Sequence, residues 1–267
     1  MTGDGLVILS LFPEVSNVHG DAQNATVLAR RAHWAGRATR TVELSVGGPL
    51  NGALAGARPH IVVIGAGFDE DAPRLLGALT QVRSALMDWH AAGTPILAAA
   101  NGWELLATEV ELRPGEPIAG IGLFPGRAVP AAKPAAGPLV IETAFGSMVG
   151  YEYHSREYVS AAGESTLGTV VSGRGNGGDS RNEGSRIGNA FGTHLRGPVL
   201  ARNPAFADAL LTLALDVHAS NRPVELAADL AADLADEQDN EPPSDLLRRG
   251  PADALAETIN RRVRSSI

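Results

Sequence analysis

Hydrophobic and polar positions alternate in blocks along the first part of the chain. Leu6–Leu11 is a short apolar run, residues 21–35 carry helical spacing, 38–45 read as a strand, and 60–65 are Ile and Val closed by glycine. Residues 73–92 predict one amphipathic helix, with Leu75, Leu76, Leu79, Val82, Leu86 and Trp89 on a common stripe. Gly93-Thr94-Pro95 stops it, and 96–100 form the next buried strand. Strands and helices in this alternation predict an α/β fold, a mostly parallel sheet with helices on both faces.

The pattern changes from Gly115 onward to short strands at 139–143, 148–154 and Gly168–Ser172, joined by glycine-rich connections. These predict an antiparallel extension or edge on the parallel core. Residues 173–184, rich in glycine and polar groups, cannot bury an apolar face and predict a mobile loop. A strand over 186–195 and a helix over 204–217 follow, the helix offering Phe206, Leu210, Leu211 and Leu213 for packing. Residues 225–245 hold eight acidic side chains and no basic one, whereas Arg248, Arg249, Arg261, Arg262 and Arg264 make the terminus basic. The chain thus divides into a globular domain over 1–222 and an acidic linker with a basic tail over 223–267, partly disordered. A docking segment for a partner is the other reading of that tail.

Composition narrows the function classes. With 267 residues, 44% hydrophobic and 19% charged, the chain suits one large α/β domain or two small ones. A net charge of -8 and a pI near 5.4 argue against nucleic-acid or anionic-membrane binding, which need a basic face. No apolar run approaches the roughly 18 residues of a membrane span. The N-terminus lacks a basic region followed by an apolar segment, so cytoplasmic residence is expected. The absence of cysteine excludes disulfides and thiol catalysis, and neither a metal nor a cofactor is expected.

The segment Ile96-Leu97-Ala98-Ala99-Ala100-Asn101-Gly102-Trp103-Glu104 reads as a strand, a sharp turn and an immediate helix start, the geometry that presents a nucleophile. Ala100 stands where that nucleophile belongs. Gly65-Ala66-Gly67 ends the preceding strand, where glycine allows close backbone approach and N–H donation. Together with Asn101, Gly102 and Glu104 these residues form the candidate ligand cleft, at the carboxyl ends of parallel strands where open α/β sheets bind ligands. His194 and Arg196, two apart on one predicted strand, are expected on a common face of it. In Tyr151-Glu152-Tyr153-His154 the carboxylate and imidazole are expected on opposite faces, which rules out a shared metal ion and leaves hydrogen bonding to a loop over the cleft. Asp21 is expected to cap the first helix or to line the crevice.

Four stretches in order carry a family resemblance. Residues 11–24 (LFPEVSNVHGDAQN), 63–69 (VIGAGFD), 96–107 (ILAAANGWELLA) and 192–200 (GTHLRGPVL) resemble the class I glutamine amidotransferases of the cobyric-acid-synthase (CobB/CobQ) type, and within them the stand-alone GatD kind that partners a Mur ligase in amidating lipid II. The resemblance covers residues 6–220 and implies a three-layer, flavodoxin-like α/β fold. Under it the family's cysteine nucleophile falls on Ala100, its histidine on Arg196, the glutamine after the elbow on Glu104, and the middle glycine of the oxyanion strand on Ala66. It therefore implies a catalytically degenerate protein acting as a binding or regulatory subunit for a Mur-ligase-like or other synthetase partner. Arg196 would then offer a fixed cation to a small carboxylate or phosphate. The alternative is an active glutaminase supplying ammonia to an amidoligase for lipid II or cobyrinate-type amidation, with His194 as a shifted base. An independent small-molecule sensor in the same cleft is a weaker third.

Overall fold

The computed structural model describes residues 5–220 and 250–266. The expected domain boundary at 222 and the acidic run at 225–245 lie outside the described residues. The first half builds β1 (Leu6–Leu11), α1 (Gln23–Trp34), β2 (Thr39–Leu44), α2 (Leu50–Leu54), β3 (Ile61–Ile64), α3 (Ala72–Gln81), α4 (Arg83–Ala91), β4 (Ile96–Ala99) and α5 (Asn101–Glu104). With β11 (Ser185–Ile187) and β12 (Ala190–Thr193) the strands form a six-stranded sheet in the order β11-β12-β4-β3-β1-β2. Every pairing in it is parallel except β11 with β12.

Strand alternation divides this sheet between two cores. Leu9, Leu11, Val62, Ile64, Ile96 and Ala98 face α3 and α4, whereas Ile8, Ile61, Val63, Leu97 and Phe191 face α1 and the helix α7 (Pro204–Ser220). Burial on both faces explains why these strands read as continuous apolar runs. On α7, Phe206, Leu210 and Leu211 are buried as the spacing predicts.

Four sequence expectations are corrected. The helix expected over 73–92 is two helices, broken at Val82, whose ψ of 7° leaves the helical range; the apolar stripe continues across the break, so periodicity alone could not show it. The strand expected over 186–195 is two short strands separated by Gly188, which adopts a left-handed φ of 56°. The antiparallel region is not an extension of the parallel sheet. β5 (Glu109–Arg113), β6 (Glu116–Ala119), β7 (Arg127–Thr143), β8 (Gly146–Val159), β9 (Gly168–Ser172) and β10 (Asn182–Glu183) form a second sheet, dominated by the long β7–β8 hairpin. Leu139, Ile141, Met148 and Val170 of this sheet share the α7-side core, so it adds its own packed layer.

The fourth correction concerns residues 173–184, expected to be mobile. Their chain is tied down: the Arg174 and Gly175 N–H groups donate to the Glu152 carboxylate at 2.7 and 3.0 Å, and the Asn176 amide bonds both backbone groups of Gly184. Left-handed Gly173, Gly175, Gly177 and Gly178 curve the backbone so that successive N–H groups can point at one carboxylate. The glycines that suggested mobility are what permit this anion-holding turn.

The terminal helix α8 (Pro251–Ser265) packs on the domain near α1 and α6 (Val199–Arg202). Arg31 of α1 clamps Asp208 at 2.6 Å and Asp253 at 2.5 Å, and the Asn260 amide donates to the Arg202 carbonyl at 2.7 Å.

Candidate functional site

β4 enters α5 through Ala100, whose φ of 43° and ψ of −123° are sparsely populated by residues with a Cβ. Such a backbone costs about 1–3 kcal/mol and persists only where the surroundings enforce it. Here the Ala100 N–H donates to the Thr193 carbonyl at 2.7 Å, and Glu104 N–H closes the first helical turn on the Ala100 carbonyl. Gly102 is required because a Cβ there would lie 2.0 Å from the Gly65 carbonyl oxygen. The strained elbow expected from the sequence is therefore present. Its methyl group is fully buried.

The glycines opposite the elbow approach their own chain. A Cβ on Gly65 would lie 1.9 Å from the Ser16 carbonyl oxygen, and one on Gly67 would lie 2.3 Å from that of Val15. Donors that could face a ligand here are already in use: Gly67 N–H donates to Asn101 Oδ1 at 2.8 Å while Asn101 Nδ2 returns a bond to the Gly67 carbonyl at 2.9 Å. The Ala66 N–H points at Asp21 Oδ2 at a long 3.4 Å.

Asp21 does not cap α1, as was expected. The Asn17 side chain takes the Ala22 N–H at 3.0 Å instead, and Asp21 is buried with its carboxylate between the Ala66 and Gly197 N–H groups and near Arg196. Burial raises its pKa to about 6, against the opposing pull of Arg196 and the two N–H groups.

Five charged groups fill the space behind the elbow. Glu104 is ion-paired with Arg156 and lies 3.5 Å from His194 Nε2, while Glu183 Oε2 lies 3.6 Å from His194 Nδ1. Arg156 also reaches Asp69, which accepts a 3.1 Å bond from Ser155. Glu183 is fixed in turn by the Thr193 hydroxyl at 2.6 Å and the His194 N–H at 2.8 Å. Burial alone would push the Glu104 carboxyl up, but Arg156 and His194 outweigh it and bring the pKa to about 2. Burial would likewise lower His194, but Glu104 and Glu183 outweigh that and raise it to about 9. At neutral pH the imidazole is therefore a cation between two carboxylates, and an imidazolium has no free lone pair. His154 stacks on it with ring centroids 3.8 Å apart, and Trp103 packs edge-on at 4.8 Å.

These charges come from an unexpected source. On β8, Glu152, His154 and Arg156 are buried while Tyr151 and Tyr153 stand 41% and 55% exposed. Glu152 and His154 therefore share the inward face, against the expectation of opposite faces, because positions two apart on a strand point the same way. The expectation that they serve a loop by hydrogen bonding does describe Glu152, which holds the 174–175 turn. Near this row β7 bulges between Pro130 and Ala135 against β8. His194 and Arg196 do not continue a strand either. β12 ends at Thr193, and Arg196 instead pairs its backbone with Tyr151 and places Nη1 3.1 Å from His19 Nδ1.

Arg156, Asp69 and Glu183 were missed as site residues by sequence reasoning. For Arg156 a signal existed: a strand whose alternate positions read Glu, His, Arg cannot place that face against an apolar core, so those side chains had to meet one another or other charges. Glu183 lay inside the glycine-rich stretch and gave no such signal. Among the described residues there is no cluster of three or more His, Asp or Glu side chains arranged to hold a metal ion.

A parallel sheet of this order, an elbow at the end of β4 and glycine strand-ends opposite it are together a family's frame, and residues 7–204 match the CobB/CobQ-like glutamine amidotransferase domain. The chain belongs to that family. Two curated relatives are the lipid II isoglutaminyl synthase (glutamine-hydrolyzing) subunits GatD of Staphylococcus aureus strain N315 and Streptococcus pneumoniae strain R6. They are 27% and 26% identical to the chain; each alignment spans 79% of this chain, and covers 85% and 80% of the relative. Among solved structures, a glutamine amidotransferase crystal structure aligns with a TM-score of 0.55 at 14% identity, over 77% of this chain and 98% of its own. PurLQS from Thermotoga maritima aligns at 0.54 and 15%, over 79% and 98%. At such identities these two structures speak for the fold, the three-layer α/β arrangement of class I glutamine amidotransferases. For this amidotransferase-family chain, no helix among the described residues is long and apolar enough to cross a membrane.

Proposed function

We propose that this GatD-like protein is a non-hydrolytic subunit that binds and regulates a Mur-ligase-like partner in cell-wall amidation. The observation that carries the reading is the ion network behind Ala100. A methyl group cannot attack the glutamine amide, and the imidazole nearest in kind to a base is a buried cation held by Glu104 and Glu183. The N–H groups of Ala66 and Gly67 face Asp21 and Asn101 rather than open space. A site whose two strand-end N–H groups and whose imidazolium face its own carboxylates and amide holds shape better than it turns over substrate. The pairing with a ligase rests on the GatD names of its relatives.

Reconstitution with the Mur-ligase-like protein of the same genome tests this. The expected result is a stable complex that amidates its acceptor with ammonium but not with glutamine. Glutamine-supported amidation would favour the active-glutaminase reading, and failure to form a complex would remove the subunit role.

One observation favours a ligand at the same place. Arg196 Nε is buried without a hydrogen-bond partner among the described residues, and a small carboxylate would suit it. If Arg196→Ala leaves both partner affinity and thermal response to small carboxylates unchanged, Arg196 has no such role.

A further inference from the structure

At the amino ends of the strands, the end of the sheet opposite the elbow, two histidines meet. His60 immediately precedes β3 and His218 stands in the last turn of α7. His60 Nε2 lies 3.0 Å from His218 Nδ1, with the ring centroids 4.6 Å apart.

A third group fixes which nitrogen carries which proton. The Val7 N–H of β1 donates to His60 Nδ1 at 2.8 Å. Because Nδ1 accepts, a neutral His60 is assigned its proton on Nε2, and Nε2 donates to His218. His218 Nδ1 then accepts, which leaves its own proton on Nε2. Val7, His60 and His218 are thus joined by two hydrogen bonds of one polarity running from β1 to α7, with both rings neutral.

Such a chain has no place for another proton. The two nitrogens without a hydrogen, Nδ1 of each ring, are both already in use as acceptors. A proton on His60 Nδ1 would face the Val7 N–H, and one on His218 Nδ1 would face the His60 N–H. Each added proton therefore breaks one of the two bonds.

Nothing beside the pair offsets that. A cavity of about 280 Å³ next to it gives a released ring room to turn. Arg58 is the other charged residue lining this cavity, and it reaches the Asp88 carbonyl at 3.0 Å. From β1, the turn before β4 and α7 the lining adds Gly5, Val7, Thr94, Ala214 and Val217, none of them titratable. Asp216 lies two residues before His218, about 200° around α7 from it. Among the described residues no carboxylate lines the cavity, in contrast to the two that hold the His194 cation.

We propose that Val7, His60 and His218 form a proton-operated latch: closed with both imidazoles neutral, it holds the last turn of α7 to the start of β1, and uptake of one proton opens it. The latch is independent of the elbow and of the subunit role proposed above. Burial, and after it His218, hold the latched His60 down to about 4, whereas a released imidazole titrates near its ordinary 6.5. The latch is therefore at full strength above about pH 6.5 and weakens as pH falls toward 4.

Hydrogen exchange of the Val7 amide in the full chain, followed by NMR and corrected for the intrinsic rate at each pH, tests it. Its opening constant should rise about tenfold from pH 7.5 to 5.5, the ratio for uptake of one proton by a group titrating at about 6.5. His60→Asn, whose Oδ1 can still accept from Val7 but does not titrate, should abolish that rise. Ring 15N shifts at pH 7.5 should show His60 and His218 each protonated on Nε2 alone. A Val7 opening constant flat with pH in the parent chain overturns the proposal, as does a rise that persists in His60→Asn or a proton on Nδ1 of either ring. Exchange of Leu9 at the rate of Val7 throughout would also overturn it, because the sheet as a whole would then be opening.

Discussion

At the elbow, Glu104, Glu183 and Asp69 are set against Arg156 and His194, with Glu104 Oε1, Glu183 Oε2 and both His194 ring nitrogens in charge contacts at 3.5 and 3.6 Å but without a hydrogen bond among the described residues, whereas the groove between the β7–β8 turn, the start of α7 and α8 holds a cavity of about 530 Å³ walled by Phe145, Met148 and Phe206. The first region has the frame of an active site and has filled it with its own charges. The second has no family frame and retains room. The difference separates two things that a fold alone runs together: where a family does its chemistry, and where a particular chain has capacity left to bind.

The largest expected effect comes from opening the elbow network. Glu104→Gln, which installs the residue the family resemblance implies there, leaves Arg156 and the His194 cation short of their buried carboxylate. It should cost about 3 kcal/mol in urea denaturation, the usual penalty for breaking a buried pair from one side. Arg156→Met should cost a similar amount by stranding Glu104. If either variant is as stable as the parent, the network does not hold the elbow closed, and the contrast with the groove collapses.

Acid and base should separate the two regions next. The folded His194 pKa of about 9 lies above its ordinary 6.5, so its stabilisation is fully present below about pH 6.5 and is lost as pH rises through about 9. Glu104, lowered from 4.5 to about 2, stabilises above pH 4.5 and loses that contribution as pH falls through about 2. Asp21 acts in the opposite sense to Glu104: raised from 3.8 to about 6, its protonated form is the favoured one, and its contribution disappears as pH rises through 6. Thermal melts should therefore show Tm falling from pH 7 toward 9.5, and a His194→Gln variant should lose that alkaline limb.

The smallest effect tests the elbow backbone itself. Ala100→Gly relieves a positive φ at the expense of a more flexible unfolded chain, and should change stability by no more than about 1 kcal/mol, in the stabilising direction. A destabilisation of several kcal/mol would mean that the Ala100 methyl packs usefully and the strain is not real.

Most of the fold was legible because its strands are buried on both faces and its helices carry a single apolar stripe. Leu6–Leu11 and Gly168–Ser172 were readable to the residue, and the elbow at Ala100 followed from a strand meeting a helix without a linker. The break at Val82 was not readable, because a helix can bend without disturbing its apolar period. The contents of the site were harder still. Arg156 and Glu183 reach Glu104 and His194 from a hairpin and a glycine-rich turn distant in sequence, and the strand parity of Glu152 and His154 had to be counted as two, not one. The glycine-rich run looked mobile because composition reports what a segment cannot bury, not which carboxylate its N–H groups surround.

Glutamine hydrolysis is the measurement closest to the central claim. Purified chain, alone and with its ligase partner, should release no glutamate from glutamine above the uncatalysed rate, and Ala100→Cys with Arg196→His should remain inactive while Glu104 stays tied to Arg156. Saturable glutamate release by the unmodified chain, abolished by His194→Ala, would contradict the account.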